Sequence, residues 1–141
     1  MNPTILLLSI RPKYAMKVFN GTKKVELRRI KPKLNNGDIV LVYVSSPIKQ
    51  LWGSFKVENI VEKPIDELWS LVEKKAGLSK EEFYEYYIGQ EKGYGIFFQE
   101  TEDIHHPINL DEIKKRWKDF TPPQSYRYVT HTNYEQLVKR T

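Results

Sequence analysis

The chain has 141 residues, 40% apolar and 29% charged, with a formal net charge of +5. That is enough for one domain, residues 1–141, with its own core, and the composition excludes both a disordered chain and a membrane-embedded one. Cysteine is absent and histidine occurs only three times, which excludes disulfides and thiolate ligands and leaves no spacing for a metal centre.

A cytoplasmic protein without metal or cofactor is therefore expected. The first apolar run, residues 5–8, is too short for a signal-peptide core or a membrane span. The charge is unevenly spread: residues 1–60 carry a net +8, residues 61–104 a net −6 and residues 105–141 a net +3. A polyanion would be steered to the surface built by the two ends of the chain and repelled by the middle.

In chain order, residues 4–9 (TILLLS) read as a buried strand. Pro12 suits the first turn of a helix running to residue 20, because its missing N–H is not needed there. Tyr14, Ala15, Val18 and Phe19 share the apolar face of that helix, and Gly21 suits the left-handed position that ends it. Residues 23–29 alternate, with Val25 and Leu27 on one side and Lys24, Glu26 and Arg28 on the other. The turn NNGD at residues 35–38 leads into residues 39–44 (IVLVYV), apolar on both faces and so a central strand. Residues 53–61 alternate again.

The acidic middle reads as helical, with one helix from Pro64 through residue 75 and another from the capping box SKEE at residues 79–82 to about residue 88. Residues 93–100 (GYGIFFQE) read as a strand. A second capping-box pattern, NLDE at residues 109–112, opens a helix through Trp117. Residues 126–130 are short and β-prone, and TNYE at residues 132–135 is a third capping box before a last helix. Strands early and late with helices between them do not give a βαβ rhythm. The expected fold is α+β, a small, mostly antiparallel β-barrel flanked by helices.

The chemistry concentrates in residues 8–29. Arg11 and Lys13 fall where the first strand hands over to the helix, and Lys23, Glu26 and Arg28 where the helix hands over to the next strand. Element ends are where functional side chains tend to lie, and the helix start at Pro12 would add backbone N–H groups for an anion. Arg28 offers a fork for phosphate or a base edge, while Glu26 accepts from a base amino group. Ser45 and Ser46 follow a buried strand and could donate into a barrel mouth, and Gln124, Ser125 and Tyr126 form a stiff entry to a late strand. Tyr43, Trp52, Tyr94 and Tyr126 could stack bases, whereas Tyr84, Tyr86 and Tyr87 on the acidic helix are poor choices. No nucleophile motif or glycine-rich phosphate loop occurs. A catalytic reading would rest on Lys23 beside Glu26, since a buried lysine paired with a carboxylate can move a proton.

The segment GTKKVELR at residues 21–28, read as G-x-K-x-x-E-x-R, resembles the ASCH domains (activating signal cointegrator homology) of the PUA-like superfamily. The preceding helix, the Gly37-Asp38 turn, LSIRPK at 8–13, SSP at 45–47 and PQSY at 123–126 are similar to a branch of small archaeal and bacterial proteins described as candidate transcriptional regulators. The resemblance implies a β-barrel flanked by helices with a cleft for RNA or a nucleotide-like ligand, lined by Lys23, Glu26 and Arg28 and, more loosely, by Ser45, Ser46, Ser125 and Tyr126. Some relatives are amidohydrolases of acetylated cytidine-type amides that use a lysine, a threonine and a glutamate. Here Lys23 matches the lysine, Glu26 occupies the threonine position, and the second acid has no counterpart, its position falling near Ala76. Ribonuclease activity has also been proposed in the family.

Three functions follow. The first is a nucleic-acid-binding module, with a regulatory role, that holds RNA or a nucleotide-like ligand. The second is a small hydrolase, amidohydrolase or ribonuclease, using Lys23 and Glu26. The third is a protein-interaction domain using the acidic helices through Glu81, Glu82 and Glu85. The balance leans toward binding without catalysis.

Overall fold

A computed structural model describes residues 2–138 as six strands and five helices. In chain order these are β1 (Ile5–Ile10), α1 (Pro12–Phe19), β2 (Val25–Arg28), β3 (Ile39–Val44), β4 (Gln50–Pro64), α2 (Ile65–Val72), α3 (Lys80–Tyr86), β5 (Lys92–Asn109), α4 (Leu110–Arg116), β6 (Tyr126–Val129) and α5 (His131–Val138). The strands form one sheet in the order β2-β5-β4-β3-β1-β6, antiparallel except where β1 runs parallel to β3.

Strand alternation divides the apolar residues between two faces. Leu6, Leu8 and Ile10 of β1 join Val40, Val42 and Val44 of β3 beneath Ala15 and Val18 of α1. Ile5 and Leu7 join Leu41, Tyr43 and Leu51 on the opposite face, covered by Ile113 of α4 and Leu137 of α5. A third cluster forms outside β2, where Val25 and Leu27 pack on Leu68, Val72, Phe83 and Tyr87. Full burial of each such leucine stabilises by about 2 kcal/mol. The acidic middle of the chain is therefore anchored to β2 by its apolar side and wraps the edge that carries Glu26 and Arg28.

The α+β, mostly antiparallel arrangement is as expected, but the expected barrel is left open: β2 and β6 are the two edges of the sheet. The β4–β5 ribbon carries register shifts at Leu51/Gly53, Ser54/Lys56 and Val57/Asn59. Such bulges bend and coil a sheet, and here the coil brings one edge toward the other without a ladder between them. A side chain spans the gap: Arg28 on β2 donates to the Ser125 hydroxyl beside β6 at 3.0 Å and to the Ser9 carbonyl on β1 at 3.5 Å. The opening left in the unfinished barrel is the cleft.

Several predicted elements shift. β5 runs on through residues 101–109, and β4 begins at Gln50 rather than at residue 53. The capping box at Ser79 forms in full, with both reciprocal bonds to Glu82. Asn109 is an N-cap without a side-chain capping bond, its Oδ1 instead accepting from Gln50 at 2.7 Å. The third box is displaced, because α5 starts at His131 and it is the Thr130 hydroxyl that accepts the Asn133 N–H at 3.1 Å. Among the described residues, no helix is long and apolar enough to cross a membrane.

Candidate active site

The cleft encloses about 890 Å3 between β1, the start of α1, β2, α3 and the segment leading into β6. It brings together Arg11, Lys23, Glu26, Arg28, Ser45, Gln124, Ser125 and Tyr126, residues drawn from four places in the sequence. Two expected members fall outside its lining. Lys13 lies at the rim, its ammonium 2.6 Å from Glu82. Ser46 faces solvent one residue beyond Ser45. The helix start offers an anion little, because Pro12 has no N–H and the Tyr14 and Ala15 N–H groups both donate to the Arg11 carbonyl.

The floor is a chain of three charges. β2 alternation sends Val25 and Leu27 into the third core, so Glu26 and Arg28 turn the other way, into the cleft. One Glu26 carboxylate oxygen accepts from Arg28 at 2.7 Å, and the other lies 3.4 Å from the Lys23 ammonium. Lys23 also donates to the Ala76 carbonyl at 2.7 Å and stands 5.5 Å from the centre of the Tyr14 ring. Burial, the dominant influence, lowers the Lys23 pKa below the ordinary lysine value, and the Glu26 charge only partly offsets it. The buried Arg28 Nε has no acceptor among the described residues, and buried donors without a partner are rare.

Gly77 lets this floor form. Its φ of +70° is left-handed, and a Cβ there would sit 3.1 Å from the Lys23 Cβ and 3.2 Å from the Lys17 Cδ. The neighbouring carbonyls face inward, Ala76 accepting from Lys23 and Gly77 from Lys17 at 2.7 Å.

The wall opposite was not foreseen. Glu82, the third helical residue of the capping box, uses one oxygen for the Ser79 N–H and the other for both the Tyr14 hydroxyl and Lys13, each at 2.6 Å. Those bonds hold its carboxyl down to about 2. Desolvation and the bond to Glu82 push Tyr14 up to about 12, so it stays a neutral donor. Together with Glu85, Glu82 adds carboxylate to the cleft beyond Glu26, six residues past Ala76. It is thus part of the cleft wall rather than a free acidic surface. Tyr86 of α3 also lines the cleft, with the Arg29 guanidinium 4.6 Å over its ring. Tyr43, expected to stack bases, is buried against Phe120 on the far face of the sheet. Trp52 faces a separate, smaller hollow beside Phe19. The missed signals were a half-buried tyrosine hydroxyl in need of a partner and a capping carboxylate with an oxygen to spare.

Ser9 and Ser125 tie the far wall. The Ser9 hydroxyl donates to the Pro123 carbonyl at 2.6 Å, and the Ser9 N–H donates to the Ser125 carbonyl at 2.9 Å. The Ser125 oxygen accepts from Arg28, so its own proton remains free to donate into the cleft. Among the described residues no cluster of three or more His, Asp or Glu could hold a metal ion.

The sequence profile of the ASCH domain matches residues 8–118. The chain belongs to the ASCH domain family. It is 31% identical over 135 residues to an ASCH domain-containing ribonuclease of Zymomonas mobilis, covering 96% of this chain and 90% of that protein. The crystal structure of ASCH from Zymomonas mobilis superposes with a TM-score of 0.91 at 30% identity, over 96% of this chain and 94% of that one. Structures of a tyrosine-to-phenylalanine and a serine-to-alanine variant of that protein superpose equally closely, each with a TM-score of 0.90. A large ribosomal subunit protein uL22 of Ureaplasma parvum is 29% identical over 76% of this chain, which spans 34% of that longer protein. The Zymomonas relative bears the name of a ribonuclease, not of a regulator.

Proposed function

We propose that this ASCH protein is a ribonuclease that binds RNA in the cleft and cuts its backbone at the Lys23–Glu26–Arg28 floor. One observation carries the reading: a buried carboxylate held between a lysine of lowered pKa and an arginine, at the bottom of a cavity that Arg11 and Arg29 also line. Likeness to a named ribonuclease along nearly the whole chain supports it. Of the functions read from the sequence, the comparisons back the small hydrolase, in its ribonuclease form, better than a module that only binds.

In this reading Arg28 takes a non-bridging phosphate oxygen and Ser125 donates to it. Glu26 accepts the proton of the ribose 2′-hydroxyl as that oxygen bonds to phosphorus. The bond from phosphorus to the 5′-oxygen breaks, and the Lys23 ammonium gives that oxygen its proton. The products are a 2′,3′-cyclic phosphate and a 5′-hydroxyl. Glu26, now protonated, returns its proton to the Lys23 amine across their 3.4 Å separation, which restores both charges. A lysine made more acidic by burial suits the donor role. The Arg28 guanidinium, fixed beforehand by Glu26 and Ser125, stabilises the charge gathering on the phosphorane without reorganising. The Tyr14 hydroxyl, held by Glu82, and the Ser125 hydroxyl, held by Arg28, stand at the walls of this cleft.

The test is incubation with mixed-sequence RNA and with DNA of the same sequence. RNA should be cut to cyclic-phosphate ends and DNA, lacking the 2′-hydroxyl, left whole. Glu26→Gln should lower the rate by about 100-fold or more with the circular dichroism spectrum unchanged. RNA left whole by the native protein, or cut equally by the variant, overturns the reading. A module that only binds would retain the RNA, with salt-sensitive affinity, and leave it intact.

A further inference from the structure

We infer that the cleft continues past Ser125 as a subsite for single-stranded RNA, built from the Tyr126 and Tyr128 rings and the basic loop at residues 29–33; the identity of the polymer rests on the ribonuclease reading. β6 alternates strictly. Arg127 and Val129 turn to the far face of the sheet, where Arg127 lies 4.5 Å over the Trp117 ring and Val129 is buried. Tyr126 and Tyr128 therefore share the face that carries the cleft. Tyr126 lines the cavity, while Tyr128 is 44% exposed.

The two rings lie 5.8 Å apart at an interplanar angle of 84°. The Lys33 N–H donates to the Tyr128 hydroxyl at 2.9 Å, so that ring is positioned before any ligand arrives. The same bond ties the basic loop to β6. The loop carries Arg29, Lys31 and Lys33 and no acid. The charge of Lys31 is felt by Glu62. Arg29 and Lys33 make no ion pair among the described residues, and both are exposed.

This arrangement selects its ligand by geometry. Exposed aromatic faces flanked by unpaired cations are the means by which proteins hold unpaired bases and their backbone. Side chains two apart on a strand are separated by about 6.8 Å, roughly twice the 3.4 Å spacing of stacked bases along one strand. Bases that meet both rings, set nearly at right angles, must be splayed apart. A duplex keeps its bases stacked and hides their faces, so it gains only the phosphate contacts.

The test measures fluorescence anisotropy of 2′-O-methyl RNA, which lacks the attacking hydroxyl, as a decanucleotide and as a dinucleotide, with an RNA duplex as competitor. Tyr128→Ala should weaken decanucleotide binding about tenfold and reduce the affinity ratio of the two lengths accordingly. Tyr128→Phe keeps the ring and should keep most of the affinity. Lys33→Ala keeps the backbone N–H that holds Tyr128 and should lower the salt slope by about one. Unchanged decanucleotide binding in Tyr128→Ala, or a duplex that competes as well as the single strand, overturns the subsite. Tyr128-dependent binding without cleavage of ordinary RNA leaves the subsite standing and removes the ribonuclease reading. Cleavage with binding indifferent to Tyr128 does the reverse, and no binding at either length removes both.

Discussion

At the floor of the cleft Arg28 meets Glu26 at 2.7 Å, and at its rim Lys13 meets Glu82 at 2.6 Å. The distances are nearly equal, but the surroundings are not. The floor side chains are 13% and 9% exposed, and those at the rim 59% and 30%. Water and salt screen the rim pair, which can open and re-form at little cost. The floor charges have little water to fall back on, so each depends on the others for solvation. Length says little about what an ion pair does; the medium around it decides. The floor is a set of groups whose protons and partners matter, while the rim pair closes a wall.

The comparison breaks most visibly at Glu26. Glu26→Ala leaves Lys23 and Arg28 as neighbouring buried cations, and it should cost about 3–5 kcal/mol in urea unfolding. Glu26→Gln keeps the shape and a hydrogen-bond acceptor and should cost less, separating loss of charge from loss of fold. Lys23 adds a pH signature of definite sign. Its pKa in the folded protein lies below the ordinary value of 10.5, because burial penalises the ammonium. The unfolded chain therefore binds more protons in the window between the folded pKa and 10.5, and stability rises with pH there. Below the folded pKa both states hold the proton and this dependence vanishes. Unfolding curves of Lys23→Met, measured across alkaline pH, should lack that rise.

Gly77 gives the next largest effect and asks whether the floor depends on its loop. Gly77→Ala meets both a left-handed backbone and the Lys23 and Lys17 stems, and it should cost about 1–3 kcal/mol. Gly21→Ala has a similar φ of +84° but open space around it, so only the backbone strain remains, about 1–2 kcal/mol. Cleavage rate separates the two further. Displacing the Ala76 carbonyl from Lys23 should slow the reaction in the first variant and leave the second near the native rate.

How far the sequence announced this site follows from how local each signal was. β3 falls on residues 39–44 as its two-sided apolar run requires, and α1 begins at Pro12. Lys23, Glu26 and Arg28 stand on one short segment whose alternation can be read directly. The second half of β5 was not legible, because TEDIHHPIN has no strict alternation, carries only Ile104 and Ile108 as large apolar residues, and is a strand by pairing with β4. Glu82 and Tyr14 were visible as a capping residue and as a member of an apolar helix face. Their meeting spans 68 residues and exists only once α3 packs on β2. The open edge between β2 and β6 depends on bulges that no residue pattern in β4 announced.

The smallest effect belongs to the rim, and there the sign and the salt dependence carry the information. Lys13→Ala should cost under about 1 kcal/mol at low ionic strength, and still less in high salt. Glu82 titrates near 2 in the folded protein against an ordinary 4.5, so it adds stability that is complete above 4.5 and is lost as the pH falls from 4.5 toward 2. Glu82→Gln should flatten that part of the acid-unfolding curve. Tyr14→Phe should flatten it only partly, because Lys13 and the Ser79 N–H still hold the carboxylate. If the rim were instead as tightly coupled as the floor, Lys13→Ala would cost as much as Glu26→Ala and salt would not change it. Urea curves of the two variants, each at low and high salt, decide between these outcomes.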